Sequence, residues 1–238
     1  MTCRSASTVL VVAVLLLLRG AGPAAAQQRD PFQRPQAPAQ QARHGPQLVP
    51  QIGHSAAVNS AVFSSDGKYV LTAALDSIAR LWDSRTGYEI RRFTGHELYV
   101  NAAAFSPNDR FVLTASSDRT ARLWETATGK EVRRFEHTRA VNTAVFSRDG
   151  KFVLTAGMDN AAHLWETDTG DEIQRFVGHS AQIKSAVFSP DSKFVLTASG
   201  DPFVQPADNT ARLWEVATGK ELRYFGGHSG AVNSAAFS

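Results

Sequence analysis

The chain has 238 residues, 43% of them apolar, a formal net charge of +3 and a single cysteine, Cys3. That length and apolar content suffice for one sizeable core, so disorder is excluded as the state of most of the chain, and one cysteine excludes a disulfide framework. Arg4, Arg19, Arg29, Arg34 and Arg43 against Asp30 put +4 into the first 52 residues and leave −1 for the rest, so the basic balance does not describe the folded part and predicts no nucleic-acid partner.

Residues 1–26 read as a secretory signal peptide. Arg4 supplies the positive start, Val9 to Leu18 is an apolar run of ten, and Ala24 to Ala26 offers a small-residue cleavage site. Ten apolar residues closed by Arg19 fall short of the roughly 20 needed to cross a bilayer, so no membrane span is expected in the mature chain, an uncleaved anchor being the competing reading. The expectation is export, periplasmic or secreted. Residues 27–47 are rich in Gln and Pro and poor in aliphatics; such a segment buries too little apolar surface to offset its ordering entropy and is predicted to be a disordered linker.

From residue 48 to 238 the chain repeats itself. Trp82, Trp124, Trp165 and Trp214 are its only tryptophans, 42, 41 and 49 residues apart, within "ARLWD", "ARLWE", "AHLWE" and "ARLWE". Upstream recur "YVLTAALD", "FVLTASSD", "FVLTAGMD" and "FVLTASGD", and downstream "GYEIRRF", "GKEVRRF", "GDEIQRF" and "GKELRYF". Each unit parses into four short strands. In the first these are "AVNSAVFS", an Asp66-Gly67 turn, "KYVLTAA", a corner at Asp76, "IARLWD", a Thr86-Gly87 turn and "YEIRRF". A four-stranded antiparallel sheet cannot cover both its apolar faces, so the units must stack, and radial stacking makes a β-propeller. The prediction is therefore an all-β propeller of four complete blades plus the start of a fifth, "GGHSGAVNSAAFS". Leu48 to Ile52 is expected to be the outer strand of a closing blade. An incomplete ring exposes apolar edges, so the expected form is an open propeller, with self-association or completion by another chain.

Gly-His, a strand, "LTAS", Asp and "RLW" followed by Asp or Glu, at this period, resemble the WD-repeat β-propeller family, and the leader marks an exported, bacterial-type member. The resemblance implies one hydrogen-bonded His–Thr–Asp–Trp tetrad per blade. The matching residues are His54, Thr72, Asp76 and Trp82; His96, Thr114, Asp118 and Trp124; His137, Thr155, Asp159 and Trp165; and His179, Thr197 and Trp214 with Asp208 or Asp201. The third repeat departs from the pattern, with "FEH" where the others have "FTGH", "FVGH" and "FGGH".

Buried Trp N–H, carboxylate and imidazole groups need partners in a dry interior, which makes repeated tetrads structural, whereas catalysis needs one distinctive, accessible copy. No catalytic residue, metal site or cofactor is expected. Histidines 54, 96, 137, 179 and 228 fall one per repeat without a His or Cys at ligand spacing. Function is then expected in the loops before the first strand and between the second and third strands, where such propellers bind partners. There the repeats differ at Leu75, Leu98, Tyr99, Arg139, Met158, Gln182 and Lys184, and a seven-residue insertion in the fourth repeat sets Phe203 and Val204 between Pro202 and Pro206. The reading is a non-enzymatic protein-interaction scaffold. The alternative is a small-ligand binder or enzyme using the central channel, disfavoured because the channel-facing "VNSAV", "VNAAA", "VNTAV" and "IKSAV" carry no carboxylate pair.

Overall fold

The computed structural model describes residues 53–201, 203 and 208–238. The leader, the linker, the strand expected at Leu48–Ile52 and Pro202, Val204 and Pro206 lie outside the described residues. Sixteen strands form four antiparallel sheets, each in simple sequence order. The first blade is β1 (Val58–Phe63), β2 (Tyr69–Ala74), β3 (Ala79–Asp83) and β4 (Glu89–Phe93); the second is β5 (Val100–Phe105), β6 (Phe111–Ser116), β7 (Thr120–Glu125) and β8 (Glu131–Glu136). The third is β9 (Val141–Phe146), β10 (Phe152–Gly157), β11 (Ala161–Glu166) and β12 (Glu172–Val177); the fourth is β13 (Ile183–Phe188), β14 (Phe194–Ser199), β15 (Ala211–Glu215) and β16 (Glu221–Phe225). The all-β, four-blade expectation is met. Residues 226–238, expected to open a fifth blade, form no strand, although the backbone N–H of Val232 reaches the carbonyl of Ser199 at 3.2 Å.

Burial explains the composition of each strand. Middle strands such as β6 are covered on both faces and read as unbroken apolar or small runs, whereas outer strands such as β8 alternate and carry their charges outward. The first hairpin turn needs a left-handed residue. Gly67 and Gly150 provide it in blades one and three, and Asp109 and Ser192 adopt φ of 55° and 57° at the same place in blades two and four. The Asp-Gly signal read from the first repeat therefore covers only half the blades.

Neighbouring blades lock through two contacts. The first three outer strands each carry, at or next to their end, a buried phenylalanine beside the next blade's tryptophan: Phe93 and Trp124 at 6.0 Å between ring centres, Phe135 and Trp165 at 5.4 Å, Phe176 and Trp214 at 5.9 Å. Trp124 thus belongs to a core shared by blades one and two, together with Leu71, Leu81 and Phe93. The second contact starts from a bulge in each first strand at Asn59, Asn101 and Asn142. The extra residue re-aims its amide, and Nδ2 donates across to the carbonyls of Val100 (3.1 Å), Val141 (2.8 Å) and Ile183 (2.8 Å) of the following blade. Lys184 holds this position in the fourth blade. At the two ends of the series Val58, Phe63 (68% accessible), Tyr224 and Phe225 are exposed, while their counterparts between blades, such as Val100 and Phe93, are fully buried.

Candidate functional site

Two arrangements hold the chemistry-bearing residues, the networks inside the blades and the loops at one end of them. In every blade the imidazole Nε2 meets the threonine Oγ1 at 2.7 Å. Nδ1 lies 2.7–2.9 Å from the corner aspartate, and the indole N–H donates to the same threonine at 2.7–2.9 Å. The fourth corner is Asp208. Asp201 instead accepts from Gln182 Nε2 at 2.9 Å and from the backbone N–H of Phe203. His137 takes the same position as the others despite the missing glycine. The indole N–H fixes the threonine oxygen as an acceptor, and a chain of donors from indole to hydroxyl to imidazole to carboxylate assigns the proton of each imidazole to Nδ1, facing the aspartate.

A hydroxyl, an imidazole and a carboxylate in series are the parts of a nucleophilic triad. Here the hydroxyls of Thr114, Thr155 and Thr197 are sealed from solvent and already accept an indole N–H, so no substrate carbonyl can approach them. Burial raises the carboxyl of Asp118, but hydrogen bonds from His96 and Thr120 outweigh it and hold the group well below the usual carboxylate range. Asp159 behaves likewise, held low by the hydrogen bond from His137 at 2.7 Å and by the imidazole of His163 beside it. Burial lowers His137 and His179, against the opposing pull of Asp159 and Asp208.

A second layer escaped the sequence reading. Arg80, Arg122 and Arg212 each bridge the corner aspartate, at 3.4, 3.2 and 3.8 Å, to Glu89, Glu131 and Glu221, at 2.6, 3.0 and 2.8 Å. The signal was present, an Arg two residues before each of these tryptophans and a Glu seven after. Arg92 and Arg134 pair with the same glutamates, whereas Arg91 and Arg133 reach backbone carbonyls of the next blade. The layer also accounts for two of the three glycines that precede tetrad histidines, a Cβ on the third, Gly53, meeting nothing within 4 Å. A Cβ on Gly95 would lie 2.9 Å from Arg122 Nη1 and 3.2 Å from the Trp124 ring, and Gly178 stands in the same relation to Arg212 and Trp214. In the third blade His163 replaces the arginine, and Glu136 precedes His137.

The loops expected to carry partners come together at one end of the blades. The backbone N–H of Leu75 bonds to the carbonyl of Ala57, that of Ser117 to Tyr99, that of Met158 to Ala140 and that of Gly200 to Gln182, so each corner loop lies against the loop before the same blade's first strand. Leu98, Tyr99, Arg139 and Met158 are exposed there, Leu75, Gln182 and Lys184 are half-buried, and Phe203 is 93% accessible. Arg139, Met158, Gln182 and Asp201 line a groove of about 340 Å³ between blades three and four. Val204 lies outside the described residues.

Residues 46–83 and 87–125 match the model of the WD domain, G-beta repeat. Residues 116–224 match that of eukaryotic translation initiation factor eIF2A. MST50-interacting protein 11 of Pyricularia oryzae is 51% identical over 41 residues, a stretch that covers 17% of this chain and 13% of that protein.

Proposed function

We propose that this WD-repeat protein is a non-enzymatic scaffold that binds a protein partner on the corner-loop end of its blades. WD40 repeats generally mediate such interactions, and the observation that carries the reading is the exposure of Leu98, Tyr99, Met158 and Phe203, the first three on corner and first-strand loops joined by backbone hydrogen bonds. Apolar and aromatic side chains presented by a fixed backbone cost little ordering entropy on binding, which is what an interface anchor requires. Export is proposed from residues 1–26 alone. The matched relative is fungal and one matched model is of a eukaryotic factor, so neither supports a bacterial origin. The exposed Val58, Phe63 and Phe225 support self-association, or a further blade, at the ends of the series.

The test is capture of partners by the tagged full chain, read by mass spectrometry, against the triple variant Leu98→Ser, Tyr99→Ser, Met158→Ser. Loss of specific partners with an unaltered thermal midpoint is expected. Undiminished capture would remove this end of the blades as the binding surface.

A further inference from the structure

The third blade is chemically unlike the other three. Its corner aspartate and outer-strand glutamate face His163 where the others face a permanently charged guanidinium, so this blade keeps two carboxylates and gives up a fixed cation. His163 is 4% accessible and its Nδ1 lies 2.8 Å from Glu172 Oε1. That hydrogen bond places the ring proton on Nδ1 and leaves a bare lone pair on Nε2. Nε2 faces Asp159 Oδ2 at 3.2 Å without a directed hydrogen bond, and Asp159 Oδ1 is also buried without a partner. Two electron-rich groups confronting each other in a dry site are stable only with a cation between them.

The third donor is His137, whose ring centre lies 4.2 Å from that of His163. One ligand atom from each of His137, Asp159 and His163 falls within 4.8 Å of the others. A tetrahedral ion with bonds of about 2.1 Å sets its ligands about 3.4 Å apart, close to the 3.2 Å between His163 Nε2 and Asp159 Oδ2, while His137 Nδ1, hydrogen-bonded to Asp159 Oδ2 at 2.7 Å, has to draw back as the ion replaces its proton. Glu172 holding the far nitrogen of His163 is the outer carboxylate that orients a metal-binding imidazole. A cavity of about 300 Å³ lined by Glu136, His137, Asp159, His163 and Arg175 gives access from solvent, the Arg175 guanidinium being held aside by Glu172. We propose that the third blade binds one divalent transition-metal ion of the zinc class through His137, Asp159 and His163. Two imidazoles and one carboxylate suit such an ion and do not suit calcium or magnesium, which take oxygen ligands. On binding, the His137 proton passes from Nδ1 to Nε2 and the Thr155 hydroxyl hydrogen turns away, so that Thr155 Oγ1 accepts from both Trp165 Nε1 and His137 Nε2.

Titration of the full-length chain with Co²⁺ as a spectroscopic probe tests this. One equivalent at micromolar protein, a visible ligand-field band that Zn²⁺ displaces, and a thermal midpoint raised by Zn²⁺ and returned by a chelator are expected. His163→Gln, or His163→Asn should that variant fold poorly, abolishes the band and the midpoint shift, and His228→Gln leaves both intact. Absence of stoichiometric binding by the wild-type chain overturns the proposal and leaves a proton as the cation between the groups. Binding that survives loss of His163, or that fails with loss of His228, also overturns it.

Discussion

Replacing Thr114 by valine removes one oxygen and keeps the side chain's shape. That oxygen accepts the Trp124 indole N–H at 2.9 Å and meets His96 Nε2 at 2.7 Å, and all three groups are buried. Each buried polar group left without its partner costs about 1–3 kcal/mol, so the variant is expected to lose about 2–6 kcal/mol. In a unit of this size each kcal/mol moves the thermal midpoint by about 2–4 °C, so the shift is at least about 4 °C. Because Trp124 also packs against Phe93 of the first blade, the loss spreads across the interface between the two blades and is not confined to the second. Thermal melts give the total, and hydrogen exchange resolved by peptide shows where protection falls, expected in β3, β4, β6 and β7. A valine variant within about 0.5 kcal/mol of wild type, the range of an ordinary surface substitution, would refute the view that the threonine is the hub of the network.

Gly95→Ala is expected to destabilise by about 1–3 kcal/mol, because its φ of 149° is poorly tolerated by side chains and the new Cβ meets Arg122 and Trp124, whereas Glu136→Ala, beside the smaller His163, is expected to be near neutral in the same melts. Stability should fall steadily on acidification of the metal-free chain. His137 and His179 are held below 6.5 by burial, so their contribution is complete above that pH and is lost as the pH falls through their lowered values. Asp118, Asp159 and Asp208, all held below 3.8, add a second loss as the pH falls through that range. A midpoint that rises between pH 7 and pH 5 would contradict the histidine assignment, and one that rises below pH 3.8 would contradict the aspartate assignment.

The blades were legible because their pattern is local: apolar runs bounded by turn residues, with one tryptophan per unit, specify a four-stranded sheet without knowledge of the neighbours. What escaped the sequence depends on side chains that meet only after folding. Asp201 sits four residues after Thr197, as the corner aspartates do in the other repeats, yet the seven-residue insertion moves that role to Asp208. His163 comes 26 residues after His137, a spacing without meaning until β11 lies beside the loop that carries His137. The histidine and the missing glycine of the third repeat look like separate irregularities in the sequence. The close approach of Arg122 to Gly95 and of Arg212 to Gly178 links them in those blades, where a side chain in the glycine's place would meet the guanidinium that the third blade lacks.

The asparagine bulges give the series a direction. Each of the first three blades extends an amide to a carbonyl of its successor, so the three joints are head-to-tail and none is symmetric. The receiving blade needs only its carbonyl: Ile183 accepts although its own blade carries Lys184 in place of the asparagine. The fourth blade therefore completes the joint its predecessor makes but cannot repeat it, because an ammonium is not the neutral amide that the other three blades use.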